Sequence, residues 1–146
     1  MEDDGQSYTV QLSALKKADY VVLNGHPCKV TETGHRGHKI RVVGLDIFTK
    51  KRYEEEHNSA QNMQAFHVTR QEYAILSITE DGCVNVLAEN FEKPGNLENI
   101  KLPEGTLGDE IREWFEKEGR RVRVTLVTAL GQTGVVAAKT EGRVFL

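Results

Sequence analysis

The N-terminal half of the chain consists of short apolar runs separated by turn residues, with no helical period. Tyr20–Leu23 and residues 28–30 flank Asn24 and Gly25, a dipeptide that favours a two-residue hairpin turn. A third apolar run, residues 40–48, follows after a polar segment. Several short strands at close spacing are typical of a small barrel, so residues 8–69 are predicted to form an N-terminal β-domain.

Residues 33–39 read Thr-Gly-His-Arg-Gly-His-Lys and lie between two of these predicted strands. This arrangement predicts the exposed tip of a β-hairpin, where cationic side chains can reach a polyanionic partner. An arginine there can pair bidentately with phosphate, whereas histidines add charge only near or below a pKa of about 6.5. The glycines permit tight backbone geometry. A surface hairpin with incidental charge is the alternative. The candidate binding residues are Gly34, His35, Arg36, Gly37, His38, Lys39 and Arg41.

Residues 54–62, which include three consecutive glutamates, interrupt the apolar pattern. We interpret them as a solvated loop, because a run of like charges is most simply exposed to water.

The C-terminal half begins with a strong hairpin signal. Apolar runs at residues 72–79 and 83–87 flank Asp81 and Gly82, a pair suited to the positive φ angles of a type I′ turn. Residues 122, 124 and 126 are apolar and alternate with polar ones, which predicts a half-buried strand, and residues 134–138 follow as another.

One helix is predicted between these groups of strands. Thr106 is placed to cap its N-terminus with Asp109 three residues on, and Gly119 suits a left-handed C-terminal cap. Apolar residues recur at helical spacing, and we interpret the two aromatic ones as core anchors. These positions are Leu107, Ile111, Trp114 and Phe115. Three strands, a helix and two strands are the order of an OB-fold, predicted for residues 70–146.

The chain resembles the eukaryotic translation initiation factor 5A family in a series of short sequence motifs. The matching residues are dispersed over nearly the whole chain and occur in the family's order: residues 13–17, Gly25, 27–29, Gly44, 46–49, Lys51, 53–54, 62–63, 102–105, 107–108 and 110–111. The resemblance implies a mainly β protein of two small barrels, an N-terminal SH3-like barrel and a C-terminal OB-fold with one helix. It also implies ribosome binding, with a polyamine-modified lysine on the hairpin tip.

The tip departs from the family's sequence, Ser-Lys-Thr-Gly-Lys-His-Gly-His-Ala-Lys. Thr33 and Gly34 are followed here by His35, and alignment on Gly37 and His38 instead puts Arg36 beside the acceptor position. A guanidinium with a pKa above about 12 stays protonated and is a poor nucleophile. Lys39 corresponds best to the family's later lysine. We therefore expect no hypusine on this chain.

Charge is unevenly distributed along a chain of net charge −3. Residues 14–52 hold nine Lys or Arg against three acids, a net +6, whereas residues 70–146 hold ten against thirteen, a net −3. This asymmetry favours an oriented encounter of the N-terminal half with phosphate. A normally mixed charged surface is the alternative.

Other sequence features indicate a cytoplasmic protein. Residues 1–7 are acidic, unlike a secretory or mitochondrial presequence, and are predicted to be a disordered tail. No apolar run approaches the roughly 20 residues of a membrane span. Cys28 and Cys83 lie in separate halves and are interpreted as buried thiols, and with His35 and His38 they are too sparse for a metal site.

No catalytic motif is recognised, so the chain is predicted to be a non-enzymatic translation factor that supports elongation. The expected partners are the ribosome, ribosomal RNA and transfer RNA, with no cofactor, metal or membrane. The alternative is a divergent paralogue that acts as a scaffold or self-assembling structural protein, because a fold does not fix a function. The oligomeric state is left open.

Overall fold

A computed structural model describes residues 7–88 and 95–143, with side chains described up to residue 140. The chain divides into two compact units, the first of residues 1–68 with 129–132 and the second of residues 69–128 with 133–146; we call them the N-terminal and the C-terminal unit. Of the predicted tail 1–7, only Ser7 belongs to the described residues, and it begins the first strand. That residues 8–69 and residues 70–146 are two separate domains, each able to fold by itself, stays a prediction.

The N-terminal unit is a six-stranded antiparallel sheet. Its strands are β1 (Ser7–Gln11), β2 (Tyr20–Leu23), β3 (His26–Arg36), β4 (Lys39–Asp46), β5 (Arg52–Asn58) and β6 (Asn62–Phe66), with one 3₁₀ turn at Leu12–Ala14. They lie in the order β1-β6-β2-β3-β4-β5. The predicted turn between β2 and β3 is confirmed, since Asn24 and Gly25 both have positive φ, 50° and 81°.

Alternate residues of these strands form the core of the unit. The buried cluster consists of Leu12, Val21, Leu23, Cys28, Val30, Ile40, Val42, Met63 and Ala65. Gly44 lies where β3 and β4 approach closely, and a Cβ atom there would be 2.8 Å from the carbonyl oxygen of Lys29. Because the cluster draws on β2, β3, β4 and β6, most of the sheet contributes to one core.

The prediction of a loop at residues 54–62 is wrong for residues 54–58, which belong to β5, and for Asn62, which begins β6. Strand β5 pairs with β4 along its whole length, from Leu45 opposite Arg52 to Lys39 opposite Asn58. It is an edge strand, for which charged side chains are usual. Main-chain pairing needs no apolar side chains, so the composition of this segment concealed its structure. Only residues 59–61 form the connection to β6.

The C-terminal unit is a five-stranded antiparallel sheet with one helical segment. Its strands are β7 (Thr69–Ile78), β8 (Cys83–Ala88), β9 (Asn96–Lys101), β10 (Arg120–Ala129) and β11 (Gln132–Arg143), in the order β11-β10-β7-β8-β9. Helix α1 (Thr106–Arg112) continues as a π-helical turn, Glu113–Lys117. The predicted fold class, mainly β with two β-units and one helix, is confirmed.

The helix begins differently from the prediction. Gly105, with φ of 89°, occupies the N-cap position and no side chain caps the helix, so Thr106 is its first residue and not its cap. Trp114 and Phe115 pack against the buried cluster of this unit, as predicted. Gly119 has φ of 62°, which agrees with the predicted left-handed cap.

The turn between β7 and β8 also differs from the prediction. Gly82 has φ of 87° but Asp81 does not have a positive φ, as type I′ would require. The Gly82 N–H donates to the carbonyl oxygen of Thr79 at 3.1 Å, so the connection is a four-residue turn that ends in a left-handed glycine.

Within the described residues, no helix is both long and apolar enough to cross a bilayer.

Candidate nucleic-acid interface

The tip of the β3–β4 hairpin is smaller than the predicted segment 33–39. Strand β3 continues to Arg36, β4 begins at Lys39, and these two residues face each other across the hairpin. Only Gly37 and His38 form the turn, with Gly37 at φ of 61° in the first central position, as a type II′ turn prefers. Arg36 and Lys39 therefore leave from paired strand positions and not from a long loop.

A third strand supports this tip. Lys39 pairs with Asn58 at the end of β5, and the Ser59 N–H donates to the carbonyl oxygen of His38 at 2.8 Å. The Ser59 carbonyl oxygen in turn accepts from the Ser13 N–H at 3.3 Å. The turn is thus hydrogen-bonded to its neighbour in the sheet, which fixes the position from which the cationic side chains extend.

Strand alternation sorts the candidate residues onto two faces of this sheet. Gly34 and Arg36 of β3 share a face with Lys39 and Arg41 of β4. His35 lies on the opposite face, in register with the core residue Ile40. We call the face with Gly34, Arg36, Lys39 and Arg41 the outer face; it also carries Glu54 and Glu56 from β5.

Arg41 differs from the other candidates because carboxylates already engage it. Its Nε lies 2.8 Å from Oε2 of Glu54, and its Nη1 lies 3.7 Å from Oε1 of Glu32. The hydrogen bond with Glu54 raises the pKa of Arg41 and lowers the pKa of Glu54. A phosphate group that approached Arg41 would have to compete with both carboxylates.

The remaining cationic candidates are exposed and uncommitted. His35, Arg36, His38 and Lys39 make no side-chain hydrogen bond or ion pair to any other residue in the described part of the chain. A Cβ atom on Gly34 or Gly37 would meet nothing within 4 Å, so a ligand can approach the backbone there.

Sequence reasoning missed the acidic side of this surface. The basic region defined from sequence, residues 14–52, ends just before the three glutamates that β5 places beside β4. Including them lowers the net charge of this region from +6 to +3. The signal that could have revealed them is the alternation of Glu54 and Glu56 with half-buried Tyr53 and Glu55. The surface is therefore mixed in charge, with its uncommitted cations at the distal end.

Two further polar groups have structural roles. The buried Asp46 accepts hydrogen bonds from the N–H groups of Phe48, at 2.7 Å, and Thr49, at 3.0 Å, and so stabilises the turn that follows β4. Burial, followed by the charge of Asp46, raises the pKa of Cys28 to about 11.

Cys83 is half-buried, and the thiols of both Cys28 and Cys83 are free. Among the described residues, no group of three potential ligands is arranged to hold a metal ion.

Comparison with known proteins gave matches over both units. Residues 5–61 match the family described as "Translation initiation factor 5A-like, N-terminal". Residues 67–139 match the one described as "Eukaryotic elongation factor 5A hypusine, DNA-binding OB fold". The eukaryotic translation initiation factor 5A of Spodoptera exigua is 39% identical over 95% of this chain and 89% of its own length. Factor 5A-1 of Schizosaccharomyces pombe is 37% identical over 91% and 85%, respectively.

Solved structures give the same result. A translation initiation factor 5A family protein from Naegleria fowleri superposes with a TM-score of 0.78 at 34% identity, covering 92% of this chain and 99% of the other. Factor 5A from Methanococcus jannaschii superposes with a TM-score of 0.67 over 95% and 98%, and at 23% identity it supports the fold alone.

Proposed function

This chain belongs to the eukaryotic translation initiation factor 5A family, and we propose that it binds ribosomal and transfer RNA through Arg36 and Lys39. One observation carries the proposal: these two cations face each other at the end of a supported hairpin and have no partner within the described chain. Their charges are thus available to phosphate groups without the loss of an existing ion pair.

The proposed mechanism is non-enzymatic. Bound RNA would be oriented and stabilised by contacts from a rigid hairpin, and the chain would bring no reacting group to it. Arg36 is suited to bidentate phosphate contact, and Lys39 contributes a compact charge beside it. A cytoplasmic location belongs to this proposal, as does action without cofactor or metal.

We also propose that the tip acts without hypusine. Neither Arg36 nor His35 offers the nucleophilic ε-amine that an aminobutyl transfer requires. Lys39 is the one amine between residues 33 and 41, and it occupies a paired strand position opposite both Arg36 and Asn58. The proposed contacts to RNA are therefore short and direct.

Cosedimentation with ribosomes over a salt series tests the proposal. Arg36→Glu combined with Lys39→Glu should weaken binding and reduce its logarithmic salt dependence by about two units, one for each phosphate that the variant no longer neutralises. The matched control, Lys101→Glu with Arg121→Glu, makes the same charge change at exposed positions of the C-terminal unit. Equal weakening by both pairs of substitutions, or by neither, would refute the assignment to the tip.

The C-terminal unit provides a reason to keep a second candidate function. Leu76 and Leu87 lie on the neighbouring strands β7 and β8 and are 50% and 39% exposed. Exposed apolar side chains can serve contacts between proteins, so self-assembly as a scaffold is the alternative. Concentration-dependent sedimentation of the isolated protein without ribosomes, abolished by Leu76→Ser with Leu87→Ser, would favour it.

A further inference from the structure

A shallow groove of about 450 Å³ crosses the outer face of the tip sheet. It is lined by the outer-face residues Gly34, Arg36, Arg41, Glu54 and Glu56, and by His35, which lies between Gly34 and Arg36 in β3. Gly34, Arg41 and Glu56 are consecutive partners across β3, β4 and β5, so they form one row across the sheet. Because a Cβ atom on Gly34 would meet nothing within 4 Å, the groove is open above this glycine.

Two opposite charges in this groove, those of Arg36 and Glu56, make no hydrogen bond or ion pair with the described residues. Glu56 faces Arg41 in register and is the last of the three carboxylates, after Glu54 and Glu32, whose charges raise the pKa of Arg41. The Arg41 side chain instead contacts Glu54 and Glu32. The groove therefore offers a guanidinium donor on β3 and a carboxylate acceptor on β5, with open space above Gly34 and the Arg41 side chain on the strand between them.

This combination selects among ligands by charge. A run of phosphates laid across the whole groove would be repelled on the β5 side by Glu54 and Glu56, although a single phosphate can still reach Arg36, and a polycation would be repelled by Arg36. A ligand that fits must present an anionic group to Arg36 and N–H donors to Glu56. A nucleotide with an unpaired base does both, because its phosphate is anionic and its base edge carries N–H groups.

Among the common bases, guanine matches a carboxylate best. Its N1–H and N2–H₂ groups are adjacent, parallel donors, whereas adenine, cytosine and uracil each present donors at only one exocyclic or ring nitrogen. In a duplex these guanine donors are used by cytosine, so the base must be unpaired. We propose that the groove binds an unpaired guanosine of RNA, with Glu56 accepting from the base edge and Arg36 contacting the adjacent phosphate.

The inference rests on the proposed RNA contact at the tip and specifies what that contact recognises. It is tested with the full chain and a fluorescently labelled single-stranded RNA pentamer that contains one central guanosine. A second pentamer replaces guanosine by inosine, which lacks the 2-amino group and so loses one of the two donors. Anisotropy titration at low salt should show about tenfold tighter binding of the guanosine pentamer, the size expected when half of a bidentate contact is removed.

Three variants make the test specific. Glu56→Gln should reduce the preference for guanosine over inosine to less than about twofold, whereas Glu98→Gln, an exposed strand glutamate of the C-terminal unit, should leave it unchanged. Gly34→Val should weaken guanosine binding because its side chain enters the groove. Valine favours the strand conformation, so a thermal melt should confirm that this variant is folded.

The outcomes separate the two proposals. Equal binding of the guanosine and inosine pentamers by the wild-type chain, or a preference retained in Glu56→Gln, overturns the guanine site and leaves RNA binding at the tip standing. Binding of neither pentamer also overturns the guanine site, and if ribosome cosedimentation in addition ignores salt, the RNA contact itself is overturned.

Discussion

Alanine substitutions at Gly44 and Gly34, which lie in the same hairpin, test how closely β3 and β4 pack by their effect on thermal stability. Both lie in strands without a positive φ, so alanine strains neither backbone. Their surroundings differ. A Cβ atom on Gly44 would lie 2.8 Å from the carbonyl oxygen of Lys29 and 3.0 Å from Cδ1 of Leu23, whereas one on Gly34 would meet nothing within 4 Å. Gly44→Ala must therefore displace backbone, and Gly34→Ala need not.

The two substitutions should change stability in opposite directions. Inserting a methyl group into a packed site costs about 1–3 kcal/mol. Replacing a glycine by alanine without strain stabilises by about 0.4–1 kcal/mol, because the unfolded chain loses conformational freedom. With about 4–8 °C per kcal/mol for a domain of this size, Gly44→Ala should melt about 4–24 °C below wild type and Gly34→Ala slightly above it.

Thermal melts followed by two probes can test this difference. Trp114 is the one tryptophan of the chain and lies in the C-terminal unit, so its fluorescence reports that unit, while far-ultraviolet circular dichroism reports both. The destabilisation in Gly44→Ala should appear in the circular dichroism of the N-terminal unit's transition. If Gly44→Ala melted at or above the temperature of Gly34→Ala, the close approach of β3 and β4 at Gly44 would be wrong.

Three further predictions concern the tip and the core beneath it. Intact-mass measurement of protein from its natural source should show no aminobutyl or hypusine increment on residues 33–41, and such an increment on Lys39 would contradict the proposed direct contact. Glu54→Gln should release Arg41 and strengthen ribosome binding, with the logarithmic salt dependence steeper by about one unit; unchanged binding would show that Arg41 does not reach phosphate. Burial raises the pKa of Cys28 from 9.0 to about 11. The stability from its neutral thiol is complete below about pH 9 and lost as pH rises to about 11, because the unfolded chain releases this proton first. Melting temperatures between pH 8 and 11 should therefore fall more steeply for wild type than for Cys28→Ala, and parallel profiles would exclude this thiol as the cause.

Local chemistry made much of the fold predictable from sequence. The β2–β3 turn follows from Asn24 and Gly25, whose neighbours along the chain are sufficient to specify it. The alternation of Val122, Val124 and Leu126, all buried, likewise identifies the inward face of β10 from a few consecutive residues. These elements are encoded by residues close together in the sequence.

Features that depend on distant partners were not predictable in this way. Strand β5 is held by main-chain pairing to β4, and its charged side chains give no apolar signal. The commitment of Arg41 to Glu54 follows from that pairing, thirteen residues apart in sequence. The sequence pattern therefore predicted the hairpin and its cationic tip. The position of Glu54 and Glu56 beside β4, and the ion pairing of Arg41 but not of Arg36, depend on the register between the strands. Whether these residues bind RNA stays a prediction.

The strand order of the N-terminal unit has a consequence for synthesis of the chain. Strand β1 lies at the edge of the sheet and pairs with β6, with Gln11 opposite Asn62. During translation β1 leaves the ribosome before the other five strands of this sheet, yet its partner β6 is the last of the six to be made. At roughly 5–20 residues per second, β1 waits about 3–10 s for β6 to be synthesised. For that interval its main-chain hydrogen-bonding groups depend on water or on a chaperone, so closure of the sheet is tied to the emergence of residues 62–66.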